Sequence, residues 1–157
     1  MDSLSAMPVL IAEDDPDDRL MTADAFEECH FGQVLAFVDD GEELLDYLFH
    51  RGRYADVRQF PLPRLILLDL NMPRMDGREA LREIKSSEAL KHIPVVVLST
   101  SDALDDITRC YRDGGNSYIA KPASFQALVE VIRSLGHYWL STVDLPLPRR
   151  TERPRRA

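Results

Sequence analysis

Four polar sites in this chain each follow directly on a short run of strand length. Glu13 and Asp14 close Val9 to Ala12, and Asp69 closes Leu65 to Leu68. Ser99 closes Pro94 to Leu98, and Lys121 closes Ser117 to Ala120. Carboxylates crowded together repel one another, so a site built from Glu13, Asp14 and Asp69 needs a cation to keep them ionised. Oxygen-only ligands, completed by water, suit a hard ion such as Mg²⁺ or Mn²⁺. An aspartate can attack phosphorus and form an acyl phosphate. Such a reaction mainly requires neutralisation of the phosphoryl oxygens, a task for the metal and the Lys121 ammonium, with Ser99 as a hydroxyl donor. Each residue alone has an ordinary explanation. Acids from Glu13 to Asp18 suit a helix start, Ser99 suits a turn or cap, and most lysines lie at the surface. Their shared position after strands makes the combination a phosphoryl-transfer site.

Strands and helices must alternate to bring these residues together. Leu65 to Leu68 and Val95 to Leu98 lack polar alternation, as expected of strands buried on both faces of a parallel sheet. Val34 to Val38 supplies a further strand, giving five in all. Pro16 suits the first turn of a helix carrying Leu20, Ala23, Phe26 and Glu27 at helical spacing. A second helix runs through Leu44, Leu45, Leu48 and Phe49, and a longer connection spans His50 to Pro63. Gly77 opens a third helix with Ala80, Leu81 and Ile84 on one face, weakened at Ser86 and Ser87 and with a further turn towards His92. A fourth covers Asp105 to Arg112. The last starts near Ser124, carries Leu128, Val131, Ile132 and Leu135, and continues past Gly136 through Tyr138, Trp139 and Leu140. This alternation predicts an α/β fold, a doubly wound five-stranded parallel sheet in the order 2-1-3-4-5. In that order the loops after strands one and three share the crevice where open sheets bind ligands, so Glu13, Asp14 and Asp69 converge.

Composition narrows the function classes. The chain has 157 residues, room for one ordinary domain, and a net charge of -8 argues against general nucleic-acid binding. No apolar run approaches the length of a membrane span, and Met1 to Met7 has no signal-peptide pattern. Cys29 and Cys110 are far apart with no metal-ligand spacing, which suits free thiols in a cytoplasmic protein.

These motifs in this order resemble the receiver domain of a two-component response regulator, over about residues 7–140, with the flavodoxin-like receiver fold. The match rests on Glu13 and Asp14, Asp69 with the loop from Asn71 to Gly77, Ser99, and Lys121 before Pro122. The resemblance implies that Asp69 is the phosphoacceptor and that Asp14, Asp69 and the backbone carbonyl of Asn71 hold the metal. Glu13 would act through metal-bound water, and Lys121 would pair with the phosphoacceptor or its phosphoryl group. Ser99 takes the place of the switch hydroxyl and Tyr118 that of the ring that turns inward with it. Asn71 and Ser101 occupy positions that influence phosphoryl lifetime. The connection containing Tyr54, the loop after Asp69 and the terminal Tyr138 to Leu140 are similar to single-domain regulators that partner phytochrome-type histidine kinases. A sensor histidine kinase is the implied partner, and the domain is a phosphoacceptor rather than an enzyme acting on other substrates. One departure is Ala123, where many receivers carry a large hydrophobic residue.

Rival chemistries fit less well. A phosphatase with an aspartyl nucleophile needs a second Asp two residues on, where this chain has Asn71. Neither GxGxxG nor GxxxxGK[ST] occurs. A pseudo-receiver would share the fold without phosphorylation. The receiver domain is expected to run to about residue 143, followed at 144–157 by an arm with five arginines and three prolines and no output domain. Trp139 at the end of the last helix is expected either to fold onto the domain or to lie in an interface. The resemblance implies a homodimer through that helix and its extension.

Overall fold

The computed structural model describes residues 7–146. Five parallel strands form one sheet in the order β2-β1-β3-β4-β5. They are β1 (Val9–Ala12), β2 (Leu35–Val38), β3 (Leu65–Leu68), β4 (Val95–Ser99) and β5 (Ser117–Ala120). The helices are α1 (Pro16–Glu28), α2 (Gly41–Leu48), α3 (Gly77–Ser86), α4 (Leu104–Arg112) and α5 (Phe125–Gly136). The doubly wound order expected from the sequence is the one observed.

The three apolar runs, β1, β3 and β4, are buried along their whole lengths, because helices cover both faces. Successive side chains of β3 alternate between two cores. Ile66 and Leu68 join Leu44, Leu48, Leu81 and Ile84 under α2 and α3. Leu65 and Leu67 join Phe26, Leu128 and Ile132 under α1 and α5. The edge strands β2 and β5 are only partly covered. Most helix starts are fixed by side chains that accept the unpaired first-turn N–H groups. Asp15 caps α1, Asp40 caps α2, Asp76 caps α3 and Ser124 caps α5, whereas Ala103 gives α4 no such bond.

Two apolar faces differ from the sequence expectation. In α1 the buried residues are Thr22, Ala25 and Phe26, while Leu20 is 62% exposed. The register is set by the Asp15 cap and by Arg19, whose Nε donates to the Glu13 carbonyl (2.7 Å) and whose guanidinium pairs with Asp39. These ties fix the rotation of the helix and leave Leu20 outside. In α5 Leu128, Ile132 and Leu135 face inward as expected, but Val129 is buried and Val131 only partly so. This helix packs against α1 as well as the sheet, which widens its apolar stripe. Helix α3 ends at Ser86, and turns rather than helix lead to His92.

The connection before β3 holds a 3₁₀ turn at Gly52–Tyr54, and its Tyr54 and Phe60 pack with Tyr47 of α2. After α5 the chain widens into a π-helical segment, His137–Thr142. Trp139 and Leu140 there lie partly buried against the α1–α5 core, and Tyr138 is 51% exposed. Of the terminal segments expected from the sequence, Met1 to Ala6 and the arm beyond Pro146 lie outside the described residues.

Both cysteines are free thiols. Burial pushes the Cys110 thiol up to about 11, and it faces Gly115 at the end of α4. We expect a disulfide reagent at mildly alkaline pH to leave Cys110 unmodified until the protein is unfolded. Modification of both thiols at one rate in the native state would contradict this packing.

Candidate phosphoryl-transfer site

The strand register brings the acids together. Ala12 pairs with Leu68 across β1 and β3, and the Asp69 N–H donates to the Ala12 carbonyl (3.1 Å). Glu13 and Asp69 therefore leave adjacent strands at one level. One carboxylate oxygen from each of Glu13, Asp14 and Asp69 lies within 4.8 Å of the others. Glu13 and Asp69 are buried, whereas Asp14 is exposed to solvent. The donor set is all oxygen, strongly negative and open on one side, which fits a hard divalent cation that keeps several waters.

Lys121 is the positive counterpart. Its Nζ lies 2.5 Å from Glu13 Oε1, 3.0 Å from Asp18 Oδ2 and 3.4 Å from Asp69 Oδ2. The resemblance pairs Lys121 with Asp69, yet here its shortest contacts are to Glu13 and Asp18. Glu13 thus contacts the ammonium directly, while its other oxygen accepts the Asp15 N–H (3.2 Å). Asp18, expected only as an acid at a helix start, is a member of the site. Burial raises the Glu13 carboxyl to about 7, with the Asp69 charge adding to the rise and Lys121 opposing it only in part. Burial disfavours the Lys121 ammonium, but Glu13, Asp69 and Asp18 outweigh this and hold it protonated. Three carboxylates meet one ammonium here, so the site attracts positive charge.

The loop after Asp69 is clamped at its ends. Asn71 N–H donates to Asp69 Oδ1 (3.1 Å), Gly77 N–H to the Leu70 carbonyl (2.9 Å) and Gly41 N–H to the Met75 carbonyl (2.9 Å). Arg74 has a left-handed backbone (φ 62°), an unfavourable conformation for a residue with a Cβ. It is held by Asp40, a carboxylate only 1% exposed. Asp40 Oδ2 accepts from Arg74 Nε at 2.8 Å and lies 2.8 Å from its Nη2, and Oδ1 accepts the Glu43 N–H at 2.8 Å. Nothing in the sequence marked Asp40 or Arg74 beyond a turn. The available signal was an acid following β2, as acids follow β1 and β3.

Ser99 is fully buried at the end of β4, and its carbonyl accepts the Lys121 N–H at 2.7 Å. The Ser99 Oγ accepts the Ser101 N–H at 3.2 Å. The Ser101 hydroxyl turns to Asp106, donating to Oδ2 at 2.6 Å, and the Tyr118 hydroxyl donates to the Ser101 carbonyl at 2.7 Å. Arg78 Nε donates to Asp106 Oδ1 at 2.8 Å. Arg78 and Asp106 carried no signal of their own, being charged residues on helical surfaces. Hydrogen bonds from Arg78 and then Ser101 hold the Asp106 carboxyl down at about 2, against an ordinary 3.8. A depressed folded-state value stabilises the fold above the unfolded value and is lost as pH falls through the folded one. Urea melts of wild type and Arg78→Gln should therefore differ by a constant amount at neutral pH. The difference should shrink between about pH 4 and pH 2 as Asp106 is protonated in both. A gap that persists undiminished at pH 2 would remove Asp106 as its source.

Among the described residues no helix is long and apolar enough to cross a membrane. The model of the response regulator receiver domain matches residues 9–133. The chain is 37% identical to the response regulator Rcp1 of Synechocystis over 88% of this chain and 92% of that protein. The Mn²⁺-bound form of Rcp1 superposes with a TM-score of 0.82, at 36% identity, covering 90% of this chain and 99% of that one. The phosphorylated cyanobacterial phytochrome response regulator RcpA superposes at 0.84 with 41% identity over 90% and 99% of the two chains. The response regulator RPA3017, of red-light signalling in R. palustris, superposes at 0.86 with 44% identity over the same shares. With a buried aspartate, an acid cluster suited to a divalent cation and a lysine meeting at one rim of a 2-1-3-4-5 sheet, this chain belongs to the response regulator receiver domain family of two-component signalling proteins.

Proposed function

We propose that the domain accepts a phosphoryl group on Asp69 from the phosphohistidine of a sensor kinase. The carboxylate oxygen forms a bond to phosphorus as the phosphorus–nitrogen bond to imidazole breaks, leaving an acyl phosphate on Asp69 and a free imidazole on the kinase. The observation that carries this reading is the convergence of Asp69, the Glu13–Asp14 pair and Lys121 within hydrogen-bond or metal-bridging distance. A divalent cation, Mg²⁺ or Mn²⁺, held by Asp14, Asp69 and the Asn71 carbonyl, with Glu13 acting through water, would neutralise charge on the phosphoryl oxygens. Lys121 supplies the fixed positive charge of the protein, already desolvated and aimed at the carboxylates. Ser99 is the hydroxyl that turns to the new phosphoryl oxygen, and Tyr118 follows it. Asn71 and Ser101 flank the acyl phosphate and influence its lifetime. The domain is a signalling phosphoacceptor that promotes only its own phosphorylation and dephosphorylation.

The likeness to RcpA and RPA3017 supports a phytochrome-type kinase as the partner. The exposed Tyr138 and the half-buried Trp139 and Leu140 support a homodimer formed through α5 and its extension. Both the kinase partnership and the acid-rich composition agree with a cytoplasmic protein that binds neither DNA nor membrane.

Intact mass after incubation with acetyl phosphate and Mg²⁺ tests the chemistry. Wild type should gain one phosphoryl group, Asp69→Asn should gain none, and EDTA should abolish the gain. Equal phosphorylation of Asp69→Asn, or none in wild type even with a competent kinase, would sink the reading.

A further inference from the structure

Four hydrogen bonds converge on Ser101 in the β4–α4 loop, one of them from the Ala103 N–H to its hydroxyl oxygen at 3.3 Å. The Ser101 N–H donates to Ser99 Oγ, its carbonyl accepts the Tyr118 hydroxyl, and its own hydroxyl donates to Asp106. Asp106 then uses its second oxygen to accept from Arg78. Arg78 is the second residue of α3, directly after the loop that begins at Asp69. Asp106 lies in the first turn of α4. One carboxylate thus joins the starts of two helices to the loop between the Ser99 hydroxyl and α4. The pair is well shielded, with side chains 23% and 19% exposed.

Helix α4 has few other anchors at this end. Its N-cap, Ala103, has no side chain to cap the first turn, Leu104 is 76% exposed, and Cys110, near the far end, is its one buried residue. An element with so little buried apolar surface is where a fold moves most readily. We propose that Arg78 and Asp106 form a latch that holds Ser101 and the start of α4 in the resting arrangement, and so set how readily phosphorylation switches the domain. The inference rests on the phosphoacceptor reading of Asp69 and Ser99.

The logic is that of a two-state equilibrium. When Ser99 Oγ turns towards a phosphoryl group, the Ser101 N–H loses its acceptor. The loop then moves only if the Ser101 hydroxyl leaves Asp106. Bonds made only in the resting arrangement oppose the switched one. By linkage, a ligand that favours the switched arrangement binds more weakly while those bonds exist. Arg78 and Asp106 are positioning residues in this scheme, acting through Ser101.

Beryllium fluoride with Mg²⁺, a phosphoryl mimic, tests the latch by calorimetric titration of wild type, Arg78→Gln, Asp106→Asn and the double variant. Each single variant should bind the mimic on the order of 5-fold tighter or more, while its urea midpoint falls. The double variant should match the singles, because each breaks the same connection. Arg78→Lys, which keeps the charge but not the Nε geometry, should fall between. Opposite signs for affinity and stability separate a latch from a merely structural pair, whose loss would weaken both. Unchanged or weaker binding in both single variants, or effects that add in the double, would overturn the latch. Failure of wild type to bind the mimic would instead overturn the phosphoacceptor reading, and the latch with it.

Discussion

Replacing Lys121 with Met should cost the fold about 2–4 kcal/mol at mildly alkaline pH in a chelator, and slow phosphorylation by acetyl phosphate about 10²–10³-fold. The reason is the company the ammonium keeps. It touches three carboxylates, two of them buried, and no other cation in the described residues pairs with Glu13 or Asp69. Removing one partner of a buried ion pair strands the other, which is costlier than removing both. The loss has a pH signature. Burial already raises Glu13 to about 7, and without Lys121 its pKa rises further. A protonated carboxyl needs no counterion, so the deficit should be largest at alkaline pH and shrink as pH falls through about 7. Divalent cations should restore part of the lost stability by mass action. Urea melts at several pH values, in EDTA and in Mg²⁺, would show this. A deficit independent of both pH and metal would mean that the lysine acts through packing alone.

Gly77→Ala should be the most damaging small substitution, costing about 2–4 kcal/mol through overpacking. Helix propensity alone would make alanine favourable at the first position of α3. Space decides otherwise. A Cβ at Gly77 would fall on the Asp69 carbonyl oxygen and within 2.8 Å of Leu70 Cα, all backbone atoms that cannot swing aside. Relief would require moving the peptide that carries the Asp69 side chain, so the variant should also bind Mn²⁺ more weakly. Gly32→Ala is the natural control. Gly32 has φ +61° with nothing near its Cβ direction, so alanine there meets only the left-handed backbone penalty of about 1 kcal/mol. Equal melting points for Gly77→Ala and wild type would refute the steric account.

The fold was legible because its central strands have no face to spare. Four consecutive apolar residues at Leu65 to Leu68 admit few structures other than a strand covered on both sides, and each such run ended on a residue with chemistry. The sheet order then placed Glu13, Asp14 and Asp69 together without further information. What the sequence concealed were choices settled by tertiary contacts. Asp18 looked like any acid in a first helical turn until Lys121 reached it from β5. Asp40 and Arg74 looked like turn residues, since an ion pair across 34 positions has no local signature. Leu20 was expected inside because spacing fixes which residues share a helix face. Spacing does not fix which face turns inward, and here Asp15 and Arg19 decide that.

The two rims of the sheet hold different parts of the chain, and the pins around Arg64 belong to the rim away from the acids. Arg64 precedes β3, its Nη2 donates to the Leu140 carbonyl at 3.0 Å and its Nη1 to Gln33 Oε1 at 3.3 Å. The extension after α5 is therefore moored where the strands begin, while the acids stand where they end. A four-residue strand puts about 13 Å between the two. Residues around Leu140 can be exchanged without touching an atom of the acid cluster. Such insulation leaves the contacts at that end open to change while the acid cluster at the other end keeps its geometry.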